Sequence, residues 1–291
     1  MRIQITARRF DFPKLVRAHG WVFLSPFEWS DETRVFCRPL RIPSGKCVRI
    51  RVSASRRDDK SVIRVSVNEQ LSRPERRCVR SQVRRMLCLD QDFTSFHAIC
   101  AGHPILGFVD QAKCGGMLRS PTAFEDLVKT VCTTNCDWRN TKKMCDYLCR
   151  LDAGGFPTAE VLWGYSEKQL MAEVPLGYRA GTVRTVAGLH VAGQLPLDQW
   201  AAAGDWGRIR DSLSGVRGIG SYTVAHMLVL LGHYSTIPVD SEVMKYLQNT
   251  HFGGKKVSER EAISPYAPYG DHSFLAYKFG RMGRRLNYVD K

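Results

Sequence analysis

The sequence predicts an α+β fold: an antiparallel β-rich N-terminal domain over residues 1–75, then a mostly α-helical body over residues 76–291. Two observations predict it. CVRIRVSA (Cys47–Ala54) and SVIRVSV (Ser61–Val67) alternate branched apolar residues with arginine or serine, the period of a sheet with one face in water. From about residue 72 the apolar residues recur instead at three- and four-residue intervals, the period of a helix.

Taken in order, Phe12–His19 reads as a short helix ahead of the sheet. Strands follow over Arg34–Pro39, Cys47–Ala54 and Ser61–Asn68, separated by turns at Pro43-Ser44-Gly45 and Arg57-Asp58-Asp59. Pro74–Leu87 is an arginine-rich helix with Val79, Val83, Met86 and Leu87 on one face. Thr122 with Glu125 and Ser166 with Gln169 have the spacing of capping boxes, the first ahead of a helix carrying Phe124, Leu127, Val128 and Val131. Helices are expected over Thr141–Leu151, Arg179–Val191, Trp206–Leu213, Ser221–Leu231 and Ser241–Gln248. A last one, Ser273–Met282, ends in the basic run Arg281, Arg284, Arg285.

The chain has 291 residues, long enough for two domains with a proper core. Lys and Arg number 43 against 28 Asp and Glu, a net charge of +15 that favours a polyanionic partner, because each phosphate neutralised releases counterions. No apolar run reaches the length of a membrane span, and the N-terminus MRIQITARRFDFPKLV lacks the apolar core of a secretory signal, so an intracellular protein is expected. The ten cysteines lack the dense spacing of a disulfide framework and read as reduced thiols. Cys132/Cys136 and Cys145/Cys149 are each four apart, a spacing that matches no common zinc pattern and suits buried small residues. No cysteine follows residue 149, so the C-terminal region cannot by itself hold an iron–sulfur cluster.

The functional signal is concentrated in Leu213–Leu247, within a segment 206–248: a turn at Gly218-Ile219-Gly220 between two helices, an apolar helix, then Ile237-Pro238-Val239-Asp240 at the start of a third helix. Glycines there permit a tight turn with amides facing outward at a helix N-terminus, a natural seat for phosphate. A proline-fixed turn delivers Asp240, whose plainer reading is an N-cap for the helix after it; the two readings are compatible. This segment resembles the helix-hairpin-helix, glycine/proline/aspartate superfamily of DNA glycosylases. The resemblance extends to FEDLVKTVCTTNCDWRNTKKMCDYL (Phe124–Leu148), LGYRAGTVRTVAGL (Leu176–Leu189) and YAPYGDHSFLAY (Tyr266–Tyr277). The β-rich domain is similar to the one preceding the helices in the 3-methyladenine glycosylase II and 8-oxoguanine glycosylase branches.

The resemblance implies a two-lobed helical body and a monomer that binds double-stranded DNA containing a damaged base, in the cytoplasm of a prokaryote or the nucleus of a eukaryote. It implies Asp240 as the catalytic carboxylate. Gly218, Ile219, Gly220 and Ser221 would grip a backbone phosphate, with a monovalent Na+ or K+ possible between the backbones of Gly218 and Gly220. No other cofactor is required, and the iron–sulfur cluster of the endonuclease III branch is not expected. Bifunctional relatives have a lysine at position 222 as Schiff-base nucleophile; here it is Tyr222, so the chain is expected to be monofunctional. Thr134 and Asn135 sit where relatives fill the gap left by a flipped nucleotide, against the alternative of a plain helix-breaking turn. Arg179 is a candidate phosphate contact, as are Lys142 and Lys143, and Trp138 could stack on bases or pack.

Glu242 stands where 8-oxoguanine glycosylases have a histidine, and Ser273 and Phe274 stand near their base-reading glutamine. With Tyr222, Phe274, Tyr269, Glu242 and more weakly Trp21 around the base, the expected substrate is a cationic alkylated purine such as 3-methyladenine or 7-methylguanine. The alternatives are 8-oxoguanine, mismatched thymine or uracil, a bifunctional enzyme using another lysine such as Lys245, and a damaged-DNA-binding protein without catalysis.

Overall fold

The computed structural model describes residues 1–152 and 155–289, with the side chains of the final helix as far as Arg285. The chain divides into two compact units, one made of residues 1–93 and 112–196, the other of 94–111 and 197–291.

The first unit is built on a five-stranded antiparallel sheet, β1 (Arg2–Arg8), β2 (Glu28–Ser30), β3 (Val35–Arg41), β4 (Cys47–Arg57) and β5 (Lys60–Val67), in the order β1-β5-β4-β3-β2. The register pairs Val52 with Val65 and Phe36 with Val52, so the apolar alternation of each strand lines one face. Val48, Ile50, Val52, Ile63 and Val65 are fully buried there, while Arg49, Arg51 and Arg64 are exposed on the other face. The β4–β5 turn falls at Asp58-Asp59 as expected, with Asp58 in the left-handed region at φ +52°. Strands β1 and β2 are additions to the sequence reading.

A short helix, α1 (Phe12–Arg17), starts at an Asp11 cap, and a 3-10 turn covers Gly20–Phe23. Helix α2 (Arg73–Met86) opens on a full capping box, Ser72 with Glu75, and lays Val79, Val83 and Met86 into the same core as the sheet. The change from strand to helix falls between Val67 and Arg73. The division into compact units follows another line, because helices beyond α2 also belong with the sheet.

Between α2 and those helices come α3 (Thr94–Cys100) and α4 (Gly107–Ala112), most of which belong to the second unit. The first unit continues with α5 (Ala123–Thr133), α6 (Trp138–Leu148), α7 (Ala159–Gly164), α8 (Glu167–Glu173) and α9 (Arg179–Val191). Ser166 and Gln169 form the full capping box read from sequence. At α5 only half of the expected box exists. Thr122 accepts the Glu125 amide, but the Glu125 side chain accepts from Arg38 at 2.8 and 3.1 Å and from Lys129 at 2.7 Å. Both cations also lie over the Phe27 ring, at 4.5 and 5.0 Å. Burial pushes the Glu125 carboxyl up, and the charges and hydrogen bonds of Arg38 and Lys129 outweigh it, holding it at about 2.

The second unit holds α10 (Leu197–Ala202), α11 (Trp206–Ser214), α12 (Ser221–Leu231), α13 (Ser241–His251), α14 (Glu259–Ile263), a 3-10 stretch over Ser264–His272, and α15 (Ser273–Val289). Helix α12 is apolar nearly all round, buries Val224 and Met227–Leu231, and stops at Gly232 with φ +113°. Helix α15 extends further than its apolar spacing predicts. Among the described residues no helix is long and apolar enough to cross a membrane.

Candidate functional site

In the second unit the turn between α11 and α12 has the form its glycines suggest. Gly218 has φ +89°, a conformation an L side chain adopts only with strain. Ile219 is 7% exposed, and its amide donates to the Val216 carbonyl at 3.0 Å, fastening the turn to its own helix pair. Gly220 is the N-cap of α12 and has no side chain with which to cap it; a Cβ there would meet nothing within 4 Å. Helix α12 therefore begins at an open end, with Ser221 exposed as its first residue. Such an end attracts an anion through its amides and dipole. The Gly220 carbonyl already accepts the Val224 amide at 3.1 Å, which leaves it one lone pair for the weak, oxygen-only coordination of a monovalent cation.

Buried Ile237 and Pro238 anchor the segment that carries Asp240, itself exposed, to the N-cap of α13. Asp240 Oδ1 accepts from the Val243 amide at 2.7 Å. Among the described residues its Oδ2 takes no hydrogen bond. One oxygen fixes the side chain to the helix and the other is left for a ligand, so both readings of this aspartate hold geometrically. Glu242 is exposed in the first turn of the same helix. Tyr277 of α15 was not foreseen. Burial raises its phenol, Arg281, donating to its oxygen at 3.2 Å, draws it down, and the Asp240 carboxylate raises it again.

Tyr222 is half-buried, and its hydroxyl lies 3.0 Å from Nδ1 of His226 one turn on, the rings edge to face at 5.4 Å. Burial and then the charge of Lys278 push the His226 imidazole down to about 3, so it is neutral at physiological pH. Burial, then Arg281 and Arg285, lowers the half-buried Lys278 ammonium to about 8. Neither residue gave a sequence signal. His226 reads as one polar interruption of an apolar helix, and Lys278 as one more cation of a basic stretch. Tyr269 is half-buried, its hydroxyl 3.5 Å from His103 Nε2. Phe274, expected beside the base, is 5% exposed and its ring stacks on Tyr234 at 6.3 Å.

The first unit brings together the remaining predicted residues. Helix α5 ends at Thr133, and its last carbonyls are closed by hydroxyls, Thr133 Oγ1 donating to Thr130 and Thr134 Oγ1 to Val131. Asn135 follows at φ +46°, a left-handed conformation that asparagine tolerates better than most residues, and is exposed. Arg179 at the start of α9 is 8% exposed and donates to the carbonyls of Thr134, Asn135 and Leu176. The guanidinium, a candidate phosphate contact in the sequence, is turned inward and holds the 134–135 turn. Beside it stands a residue the sequence reading passed over, Tyr178, 63% exposed, with Arg179 over its ring at 4.6 Å and its hydroxyl 3.3 Å from Asn135 Nδ2. Asn135, Tyr178, Arg179, Asn140 and Lys143 border a depression of about 230 Å³.

Trp21 is corrected: it is 1% exposed, its indole N–H donating to Asp126 at 2.7 Å, and it packs rather than offering a face. Trp138 is 40% exposed. Lys142 and Lys143 lie over Phe23 and Tyr147 of their own unit, at 5.7 and 5.9 Å. Cys132 and Cys145 are fully buried. Among the described residues no three His, Cys, Asp or Glu side chains gather to hold a metal ion.

No family profile matches the chain, and no curated protein matches it in sequence. Solved structures do. A 3-methyladenine DNA glycosylase from Archaeoglobus fulgidus superposes with a TM-score of 0.73 at 16% identity, covering 98% of both chains. MBOgg1, solved with a low-affinity DNA ligand, gives 0.72 at 17% identity over 98% of this chain and 96% of its own. The Clostridium acetobutylicum 8-oxoguanine glycosylase/lyase, solved with duplex DNA containing cytosine opposite 8-oxoguanine, gives 0.68 at 18% over 99% and 98%. At these identities the likeness is one of architecture, and along nearly its whole length the chain has the α+β fold of these glycosylase structures.

Proposed function

We propose that the chain is a monofunctional DNA glycosylase that extrudes a damaged base from duplex DNA and hydrolyses its N-glycosidic bond, alkylated purines first among its substrates. The observation that carries this is one arrangement within the second unit: an open, glycine-built start to α12, and an exposed Asp240 held by one oxygen at the start of α13 with its other oxygen unengaged. The open helix end binds a phosphate without reading sequence. The Asp240 oxygen stabilises the oxocarbenium-like centre at C1′ or orients the attacking water. In the first unit, Asn135 and Tyr178 are the groups that fill a base-stack gap, and Arg179 positions them from behind. A hairpin-bound Na+ or K+ is compatible with the remaining Gly220 lone pair.

Lys278 favours a second reading. Its positive charge, felt by the His226 that holds Tyr222, opposes a cationic base and suits a neutral lesion such as 8-oxoguanine or mismatched thymine. Its lowered amine is better fitted than an ordinary lysine to form an imine, which would add strand cleavage.

The test is single-turnover excision on duplexes carrying methylated purines, 8-oxoguanine, or uracil or thymine opposite guanine, with and without alkali. Cleavage that needs alkali and no borohydride-trapped adduct is expected. Alkali-independent cleavage with trapping that is lost in Lys278→Met establishes the second reading. Lesion binding without excision of any of them overturns both.

A further inference from the structure

The charge of this chain is not evenly spread. Residues 1–93 carry 21 of its Lys and Arg against 10 Asp and Glu, most of the +15 in a third of the length. Helix α2 concentrates it. Its positions 73, 76, 77 and 80 are all arginine and all exposed, at the spacing that forms one stripe of a helix, alongside the buried face of Val79, Val83 and Met86. The other two arginines of the helix are spent, Arg84 on Asp90 and Arg85 on Asp126 at 2.8 Å. The one acid of the helix, Glu75, closes the capping box with Ser72. Among the described residues none of the four stripe arginines meets a carboxylate, and their one side-chain hydrogen bond joins Arg80 to the Gln4 carbonyl.

Four guanidinium groups at i,i+3 and i,i+4 repel one another and weaken the helix that carries them. Among the described residues no carboxylate offsets that repulsion, so a partner is the natural source of the compensation. We propose that the arginine stripe of α2 is a docking surface for the phosphate backbone of duplex DNA, separate from the candidate site and giving the sheet-bearing unit a role in binding.

Three features select this occupant. All four cations are arginine, whose planar fork pairs with phosphate in a bidentate way that lysine cannot match. The exposed neighbours on the helix are Ser72, Pro74 and Ser81, and its apolar side is buried in the core, so it has nothing to insert into a lipid surface. The stripe also stands in the same unit as the Asn135–Tyr178 turn. Arg85 ties α2 to the beginning of α5, and that turn lies at the other end of α5, about 16 Å on at 1.5 Å per residue. A duplex carries a charge every ~1.7 Å of its axis, so one held at that turn offers phosphates all along the arm that leaves it.

The experiment measures the full chain binding a long undamaged duplex by fluorescence anisotropy over a range of salt, which keeps it independent of any excision activity. In R73Q/R76Q/R77Q/R80Q the slope of log K against log salt is expected to fall by about 3 to 4, since each phosphate contact contributes ~0.9. Affinity near about 0.1 M salt should drop at least a hundredfold, and R73Q/R77Q and R76Q/R80Q should each show roughly half the change in slope. The quadruple lysine variant should keep most of the slope. Because like-charge repulsion is relieved, the glutamine variant should melt no lower than the parent. R2Q/R51Q/R64Q, which strips the exposed face of the sheet, is the control. An unchanged slope in the α2 variants overturns the proposal. So does an equal loss in the sheet variant, which would reduce the effect to net charge. Loss of binding to phosphatidylserine vesicles with duplex binding intact also overturns it.

Discussion

Two carboxylates at two helix beginnings show how differently the two units use the same chemistry. Glu125 stands at the third position of α5, 3% exposed, with both oxygens engaged by Arg38 and Lys129. Asp240 stands at the cap of α13, exposed, with one oxygen engaged by an amide of its own helix and the other not. A buried carboxylate must be paired on every side, because an unmatched charge away from water costs several kcal/mol. An exposed one keeps the hydration that makes a spare lone pair tolerable. The first is therefore committed to the fold and the second is available to a ligand.

The largest effect should come from breaking the available carboxylate without touching the fold. Asp240→Asn keeps a good capping group, so its melting temperature should stay close to that of the parent, while single-turnover excision should fall by about 10²–10³-fold or more. A variant that loses stability and keeps its rate would place Asp240 with Glu125, as a structural residue. The converse substitution, Glu125→Gln, leaves Arg38 and Lys129 facing a neutral amide in the core. It should cost about 3–5 kcal/mol in a denaturant titration while the rate per folded molecule stays unchanged.

The hairpin glycines sharpen the comparison at a smaller scale. Gly218→Ala forces a side chain into φ +89° and should cost about 1–2 kcal/mol of stability. Gly220→Val places its Cβ in open space on an ordinary backbone, so it should cost no more than about 1 kcal/mol as a poorer cap while affinity for damaged and undamaged duplex falls alike. Equal DNA affinity in Gly220→Val would remove the phosphate grip from this turn.

Acid separates the units most gently. His226 has its folded pKa lowered from 6.5 to about 3, so its contribution is whole above about pH 6.5 and is lost as pH falls toward 3. Glu125 is lowered from 4.5 to about 2, so its contribution is whole above about pH 4.5 and is lost as pH falls toward 2. Acidification should weaken the second unit first, and His226→Gln should flatten the pH dependence of stability between about 6.5 and 3 without altering it lower down. Loss of structure that begins in the sheet-bearing unit would contradict this order.

The same pair of residues marks what could be read without coordinates. Thr122 and Glu125 have the spacing of a capping box, as do Ser166 and Gln169, and only the second is one. Sequence spacing reports which groups can reach each other within a turn, and Glu125 has a stronger partner in Arg38, 87 positions away. Arg179, a candidate phosphate contact in the sequence, donates to carbonyls at 134 and 135 that lie 45 and 44 positions upstream, a pairing no local pattern announces. Trp21 and Phe274 were offered as ring faces for a base and are buried, since an aromatic residue gives no local sign of which neighbour covers it.

The sequence by itself determined what depends on a few adjacent residues: the alternation that makes β4 and β5, the helical faces, the stop at Gly232, the turn around Gly218, and the capping position of Asp240. Each rests on backbone preferences, side-chain periodicity or hydrogen bonds that are set by neighbouring residues. Only the tertiary structure decided which charges are paired, which rings are covered, and which helices share a unit with the sheet. Those outcomes follow from desolvation, and whether a group is taken out of water depends on segments that approach it from far along the chain.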